Sequence, residues 1–184
     1  MIGDVRHSFI GSVIYETPSA ERSSSVVRHV LGGWQISGIL RFRTGEPLIV
    51  TQSSSKAGSR PDVIDVANAY NTSCCDITSS NMQYLNPVAF QTLPLNPVSR
   101  QPIRAGNVGV GQFRAPGFKN LDLSVGKSFN IGGSRRVELR SDILNALNWI
   151  NYASVQTNIT ASDFGKINGT GAARVAQLQA RFSF

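Results

Sequence analysis

The last ten residues of this 184-residue chain, Val175 to Phe184, read VAQLQARFSF. Ala176, Leu178, Ala180, Phe182 and Phe184 are apolar, while Gln177, Gln179, Arg181 and Ser183 between them are polar. Side chains on a strand point alternately to its two faces, so a period of two gives one oily face and one wet face. An aromatic pair at the extreme terminus is a poor device for a soluble sheet, because chain ends fray there. Two readings stand for this stretch: an amphipathic edge strand of a soluble sheet, or a strand whose oily face meets lipid.

The same period recurs upstream and predicts four more strands. Arg6 to Thr17 reads as the first, with Phe9, Gly11, Val13 and Tyr15 on one face and Ser8, Ile10, Ser12, Ile14 and Glu16 on the other. Trp34 to Thr44 is the second: Trp34, Ile36, Gly38, Leu40 and Phe42 face one way, and Gln35, Ser37, Arg41 and Arg43 the other, with Ile39 the exception. Leu48 to Thr51 is read as a continuation of it beyond the Gly45-Glu46-Pro47 bend. Phe118 to Phe129 is the third, with Leu121, Leu123 and Val125 opposed to Asn120, Asp122, Ser124 and Gly126. Lys127 falls on its apolar face, near enough to the end for its head to reach water. Asn130 to Ser134 is a Gly-Gly turn. Arg135 to Ala146 is the fourth: Val137, Leu139 and Ile143 share a face with Ser141, and Arg136, Glu138, Arg140 and Asp142 form the other. A helix competes for this segment, but strict alternation of charged and apolar residues favours a strand.

The connectors are unequal. Residues 19–33 form a polar link with room for one helical turn around Val26 to Leu31, and residues 52–116 and 147–174 are long, polar and rich in Ser, Asn, Pro and Gly. Tyr84 to Phe90 and Gly106 to Gly111 read as ordered pieces of the first long loop, and a short hairpin arm is expected in the second. With antiparallel strands, the two short links fall at one end of the sheet and the two long ones at the other. A membrane barrel has that asymmetry, with short turns on one rim and long loops on the other.

Other classes find little support. No run of 18 apolar residues marks a membrane helix, and hydropathy misses barrel strands, which are only half apolar. Met1 to Phe9 has no apolar signal core, so a cytoplasmic protein and the C-terminal part of a longer secreted chain both stand; the terminal strand favours the second. The net charge is +7, but only Arg135 and Arg136 are adjacent basic residues and no basic-aromatic interleaving of the kind that marks an RNA-recognition motif occurs, so nucleic acid is not an expected partner. Cys74 and Cys75 are neighbours, a spacing that suits neither a CxxC redox site nor zinc. They stand as a vicinal disulfide, an interchain bridge, or two cysteines in a variable loop. The GNVGVG stretch from Gly106 lacks the lysine ending of a phosphate loop and any βαβ context, and reads as glycines that allow positive φ in a tight loop. His7 and His29 have no partnered motif, and no GxSxG or HExxH occurs. No catalytic, cofactor-binding or metal site is expected, and no cofactor.

Taken in order, GGWQISGILRFRTGEPL, YLNPVAF, GNVGVGQFRAPGFKNLDLSVGKSF, RVELRSDILNALNWINY, FGKI and ARFSF resemble the C-terminal barrel of TonB-dependent outer-membrane receptors, most closely the Oar-like subgroup. The resemblance covers nearly the whole chain, with gaps near residues 53–83 and 155–163. It implies an all-β antiparallel meander over residues 1–184: about the last five strands of a 22-stranded transmembrane barrel with long extracellular loops. Such large barrels carry a plug in the lumen. The plug, the TonB-contacting segment and the N-terminal extension of the family have no counterpart here, so contact with TonB is implied only through parts outside this chain. The family's C-terminal aromatic strand is read by the outer-membrane assembly machinery, which puts that signal on Leu178, Ala180, Phe182 and Phe184.

The expected role is therefore a wall segment of a receptor that takes up a large or scarce ligand across the bacterial cell outer membrane. Its partners are outer-membrane lipid, the rest of the parent barrel and plug, and the assembly machinery. Trp34, Ile36, Leu40, Phe42, Leu121, Leu123, Val125, Val137, Leu139 and Ile143 are expected to face lipid. Arg41, Arg43, Asp122, Arg136, Glu138, Arg140 and Asp142 are expected to face the lumen as wall ion pairs. Five strands alone leave two bare sheet edges. The alternative is a soluble carbohydrate-binding β-sandwich, which needs the same aromatics buried between two sheets.

Overall fold

Alternation along the chain becomes pairing across it. The computed structural model describes residues 4–18, 32–53, 59–75 and 81–184. Its strands, in chain order, are β1 (Ser8–Glu16), β2 (Trp34–Arg43), β3 (Pro47–Leu48), β4 (Asp62–Val63), β5 (Phe90–Gln91), β6 (Phe113–Arg114), β7 (Phe118–Gly132), β8 (Arg135–Leu144), β9 (Tyr152–Val155), β10 (Ile167–Thr170) and β11 (Val175–Ser183). A single 3₁₀ turn, Pro87–Ala89, is the one helical piece among the described residues; Asn86 caps it by accepting the Val88 N–H at 3.2 Å. The helical turn expected near residues 26–31 lies outside the described residues. The chain divides into two compact units, a sheet unit (His7–Arg43, Phe118–Ile150, Ala172–Phe184) and a loop unit (Met1–Arg6, Thr44–Gly117, Asn151–Gly171).

The sheet unit is one antiparallel sheet in the order β1-β2-β7-β8-β11. Each long strand pairs with the next long strand in sequence, as a meander does. Among the described residues the sheet does not close, and β1 and β11 are its edges. At the turn between β1 and β2, Thr17 N–H donates to the Trp34 carbonyl at 2.8 Å and Trp34 N–H donates to Thr17 Oγ1 at 2.8 Å.

Strand ends differ from the sequence reading for local reasons. β7 runs on through Gly132, past the expected turn at Asn130. Glycines at 132 and 133 adopt φ of 99° and 62°, so pairing continues through an irregularity and the chain reverses over Gly133-Ser134 alone. β8 stops at Leu144, two residues early, because Asn145 turns left-handed at φ 50°. Its amide then organises the turn: Oδ1 accepts the Trp149 N–H at 2.9 Å and Nδ2 donates to the Trp149 carbonyl at 2.9 Å. A short polar side chain that bonds its own neighbourhood is what makes this conformation tolerable. Residues 48–51 do not prolong β2. Pro47–Leu48 pairs instead with Phe113–Arg114 in the loop unit. Gly45 allows it, because a Cβ there would collide with the Ala115 carbonyl.

The second difference is where the dry core sits. Val50, Val63, Ala69, Leu85, Ala89, Phe90, Val108, Phe113 and Phe164 form a buried cluster, all within the loop unit. Tyr70, Phe90, Phe113 and Phe164 meet edge to face, with ring centroids 5.1–5.8 Å apart, a geometry that adds about 1 kcal/mol per pair beyond burial. The described residues between 52 and 116 thus pack around this cluster and carry β4 to β6, rather than forming a plain loop. Buried Gln52 supports it by donating to the Leu93 carbonyl at 3.0 Å and accepting the Leu93 N–H at 2.6 Å. The expected hairpin arm after residue 147 is present as β9 paired with β10.

Candidate functional site

In a single-layer sheet the candidate site is its pair of faces. Every long-strand register is continuous along its central part, so residues of one parity stay together from β1 to β11. One face carries Phe9, Val13 and Tyr15; Trp34, Ile36, Leu40 and Phe42; Leu121, Leu123, Val125 and Phe129; Val137, Leu139 and Ile143; and Ala176, Leu178, Ala180 and Phe182. For example, Leu40 stands opposite Leu121, Leu123 opposite Ile143, and Val137 opposite Phe182. The Phe184 ring lies 6.0 Å from that of Phe182. All ten residues expected on the lipid side, and the four of the terminal strand, are therefore brought to one side.

None of these apolar side chains is buried in the sheet unit. Leu139 is 47% exposed, Phe182 55% and Leu178 87%. A sandwich would bury them against a second sheet, whereas here they stay exposed or half-buried. Aromatics mark both ends of the face: Tyr15, Trp34, Phe129 and Phe182 near the short turns, Phe9 and Phe42 near the long excursions. Trp34 and Phe42 are eight residues apart, about 26 Å along a strand and about 20 Å in height at barrel tilt. Both excursions, residues 44–117 and 145–174, leave and rejoin the sheet at the Phe42 end.

Lys127 departs from expectation. It is 5% exposed on the apolar face, and its ammonium lies 4.9 Å from the Trp34 ring centroid and 5.5 Å from that of Phe129. The ring faces take up the charge in place of bulk water.

The opposite face gathers the seven residues expected in the lumen. Arg41 Nη2 contacts Asp122 Oδ2 at 2.6 Å across β2 and β7, and Arg140 Nε contacts Asp142 Oδ1 at 2.9 Å within β8. Asp122 Oδ1 also accepts the Asn145 N–H at 2.9 Å, which ties the polar face to the turn after β8. Arg43 lies over the Phe118 ring at 5.2 Å, and Glu138 stands opposite Arg181. A cleft of about 240 Å³ opens on this face between Glu16, Gln35, Ser124, Arg136, Glu138 and Arg140. Ile10, Ile14 and Ile39 break the pattern with an exposed apolar patch beside the β1 edge.

In the loop unit the glycine-rich stretch serves packing. A Cβ on Gly106 would meet the Arg60 and Pro61 carbonyls, so glycine there permits a close backbone approach; only Gly111 of that stretch takes a positive φ, 68°. Cys74 and Cys75 are joined to one another as a vicinal disulfide. Among the described residues no group of three His, Cys, Asp or Glu side chains is placed to hold a metal. Trp149, Lys119 and Arg174 were not singled out by the sequence reading, since strand parity says nothing of a loop residue such as Trp149.

No curated protein and no solved structure matches the chain. A family model described as an outer membrane beta barrel domain matches residues 2–177. With an exposed apolar face, a charged opposite face and aromatics at both ends of the strands, the chain belongs to the outer membrane beta barrel domain family and resides in the outer membrane.

Proposed function

We propose that this segment of barrel wall serves a TonB-dependent receptor of the Oar-like subgroup, taking up a large or scarce ligand across the outer membrane. The observation that carries the reading is the unbroken face parity across five strands, joined to the ordered motif series from GGWQISGILRF to ARFSF. Its role in the receptor is wall and assembly signal, with no catalysis. The apolar face meets lipid and the charged face lines the lumen, where Arg41–Asp122 and Arg140–Asp142 satisfy one another. The free edges of β1 and β11 need further strands, since backbone groups in hydrocarbon must be paired. The partners are lipid, the remaining barrel and plug, and the assembly machinery, with TonB engaged only through other parts of the receptor and no nucleic acid.

The test is the reading frame continuous with residue 1. A frame coding for a plug and about seventeen further strands supports the proposal, given a barrel of 22. The 184-residue chain found alone as a complete, functional outer-membrane pore overturns it.

A further inference from the structure

Cys74 and Cys75 are the two cysteines of the chain, and they are bonded to each other. A disulfide stabilises a fold chiefly by closing a loop of the unfolded chain, and the effect grows with the length of that loop. A bridge between neighbours closes the shortest loop there is, so it does little for the loop unit as a whole. The aromatic cluster around Phe113 holds that unit together. What the bridge fixes is local. The two cysteines and their shared peptide form one small ring, and ring closure restricts the backbone torsions of both.

Hydrogen bonds tie this ring to two other segments of the loop unit. On one side, Cys74 N–H donates to the Asn71 carbonyl at 3.1 Å and Ser73 N–H to Asn71 Oδ1 at 3.1 Å, while Asn71 N–H donates to the Tyr84 carbonyl at 2.9 Å. On the other, the Tyr152 hydroxyl donates to the Cys75 carbonyl at 2.6 Å. Tyr152 opens β9 and stands opposite Thr170, beside the bond from Gly171 N–H to the Asn151 carbonyl at 2.6 Å. It therefore lies at the open end of the β9–β10 hairpin. The closed end is held independently: the Gly165 carbonyl accepts the Tyr84 N–H at 2.8 Å and the Leu85 N–H at 3.0 Å, and Ile167 N–H donates to the Met82 carbonyl at 2.9 Å. The open end thus leans on a carbonyl whose direction the disulfide sets. Both cysteines are half-buried, within reach of a small solute. Exposed disulfides are the labile ones that thiols attack.

We infer that Cys74–Cys75 is a thiol-exchange site, with a low-molecular-weight thiol as its reaction partner, and that its reduction releases the open end of the β9–β10 hairpin. A thiolate of the reagent attacks one sulfur and forms a mixed disulfide with it, and the other sulfur leaves as a thiolate and takes up a proton. A second reagent thiolate attacks the reagent sulfur of the mixed disulfide and frees the remaining cysteine, which is protonated in turn. The reagent is oxidised to its disulfide, and its two electrons and two protons end on Cys74 and Cys75. The ring opens, both residues regain torsional freedom, and the Cys75 carbonyl no longer keeps its direction toward Tyr152. The inference stands on the loop unit and not on the transport reading, so a failure of uptake leaves it standing.

The test uses the full barrel that carries this chain, purified in detergent, with and without dithiothreitol. Maleimide labelling, located by peptide mass spectrometry, reports the thiols, and hydrogen exchange of the β9 peptide reports the hairpin. The wild type is labelled at both cysteines after the reagent and not before. Once reduced it exchanges about fivefold faster at Tyr152 and Ala153, the factor that one ordinary hydrogen bond carries. Tyr152→Phe, which lacks the bond to the Cys75 carbonyl, exchanges at the faster rate with or without the reagent. Cys74→Ser with Cys75→Ser does the same, which excludes any cysteine elsewhere in the barrel as the cause. Amides at Val50 and Phe113 keep their protection throughout. The inference is overturned if the folded wild type resists labelling, or if it is labelled with no change at β9. It is also overturned if protection at Val50 and Phe113 falls equally, or if Tyr152→Phe still responds to the reagent. Should the serine pair fail to assemble, the wild type and Tyr152→Phe decide the matter by the same readings.

Discussion

Asp62 shows how a few residues hold the loop unit. Its carboxylate takes a two-pronged contact from the Arg104 guanidinium and accepts the Asn107 N–H at 3.0 Å, while Asn107 returns two bonds to the Val63 backbone at 2.6 and 3.0 Å. The Arg104 hydrogen bonds hold the Asp62 carboxyl below its usual 3.8, outweighing the opposing effect of burial. A depressed folded pKa stabilises above the unfolded value, and that contribution is lost as pH falls through the folded one. Asp62→Asn is therefore expected to raise hydrogen exchange at Val63 and Phe90 at pH 7. The difference from wild type shrinks once pH drops below 3.8 and through the folded value. An equal difference at pH 7 and pH 2 would show that charge plays no part. Gly165 gives a second case: it adopts φ 78°, and a Cβ there would meet the Leu85 carbonyl and Gln83 Nε2. Gly165→Ala is expected to destabilise the loop unit by about 2 kcal/mol or more, read from chemical denaturation followed by Tyr fluorescence. Neither the Asp62–Arg104 pair nor the need for Gly165 was visible in the sequence. The partners lie 42 and about 80 positions away, and no local periodicity connects them.

At the scale of the strand, one parity step separates two solvents. Leu123 and Ser124 are neighbours in the middle of β7, facing Gly38 and Ile143 on one side and Ser37 and Asp142 on the other. A cation on the lipid face near the bilayer midplane costs about 2–4 kcal/mol, whereas the lumen face accepts one. Leu123→Arg is thus expected to lower the unfolding free energy of the barrel in lipid vesicles by that amount, with Ser124→Arg close to wild type. Equal effects would mean that the two faces share one environment. The long strands were legible because each repeats its pattern four or five times. Their ends were not, because Asn145 and Gly132 stop or prolong pairing through backbone conformation rather than side-chain polarity. Lys127 falls on the apolar face in both sequence and structure, yet its shelter beneath Trp34 depends on a register with β2 that no stretch of β7 contains, and only Phe129, two residues along β7, was near it in sequence.

At the scale of the whole molecule, β11 presents an exposed edge and an aromatic end to whatever receives it. If Phe184 belongs to the signal read during assembly, Phe184→Ser in the parent barrel reduces the heat-modifiable, folded fraction in outer membranes, with little change in total protein. Normal insertion of that variant would remove the signal role. A barrel wall needs no dry core of its own, because lipid covers one face and water the other. The loop unit, with water on its outside, does need one, and the aromatic cluster around Phe113 supplies it.

Alternation is written residue by residue, so the sequence by itself determined the strands, their two faces and the unequal connectors, and with them the membrane character of the sheet. What only the tertiary structure decided was the fate of residues 44–117. Their buried cluster joins Val50, Phe113 and Phe164, and their polar pairs link positions far apart in the chain. Such contacts arise once loop closure has brought distant segments together, and no short-range pattern encodes which segments those are.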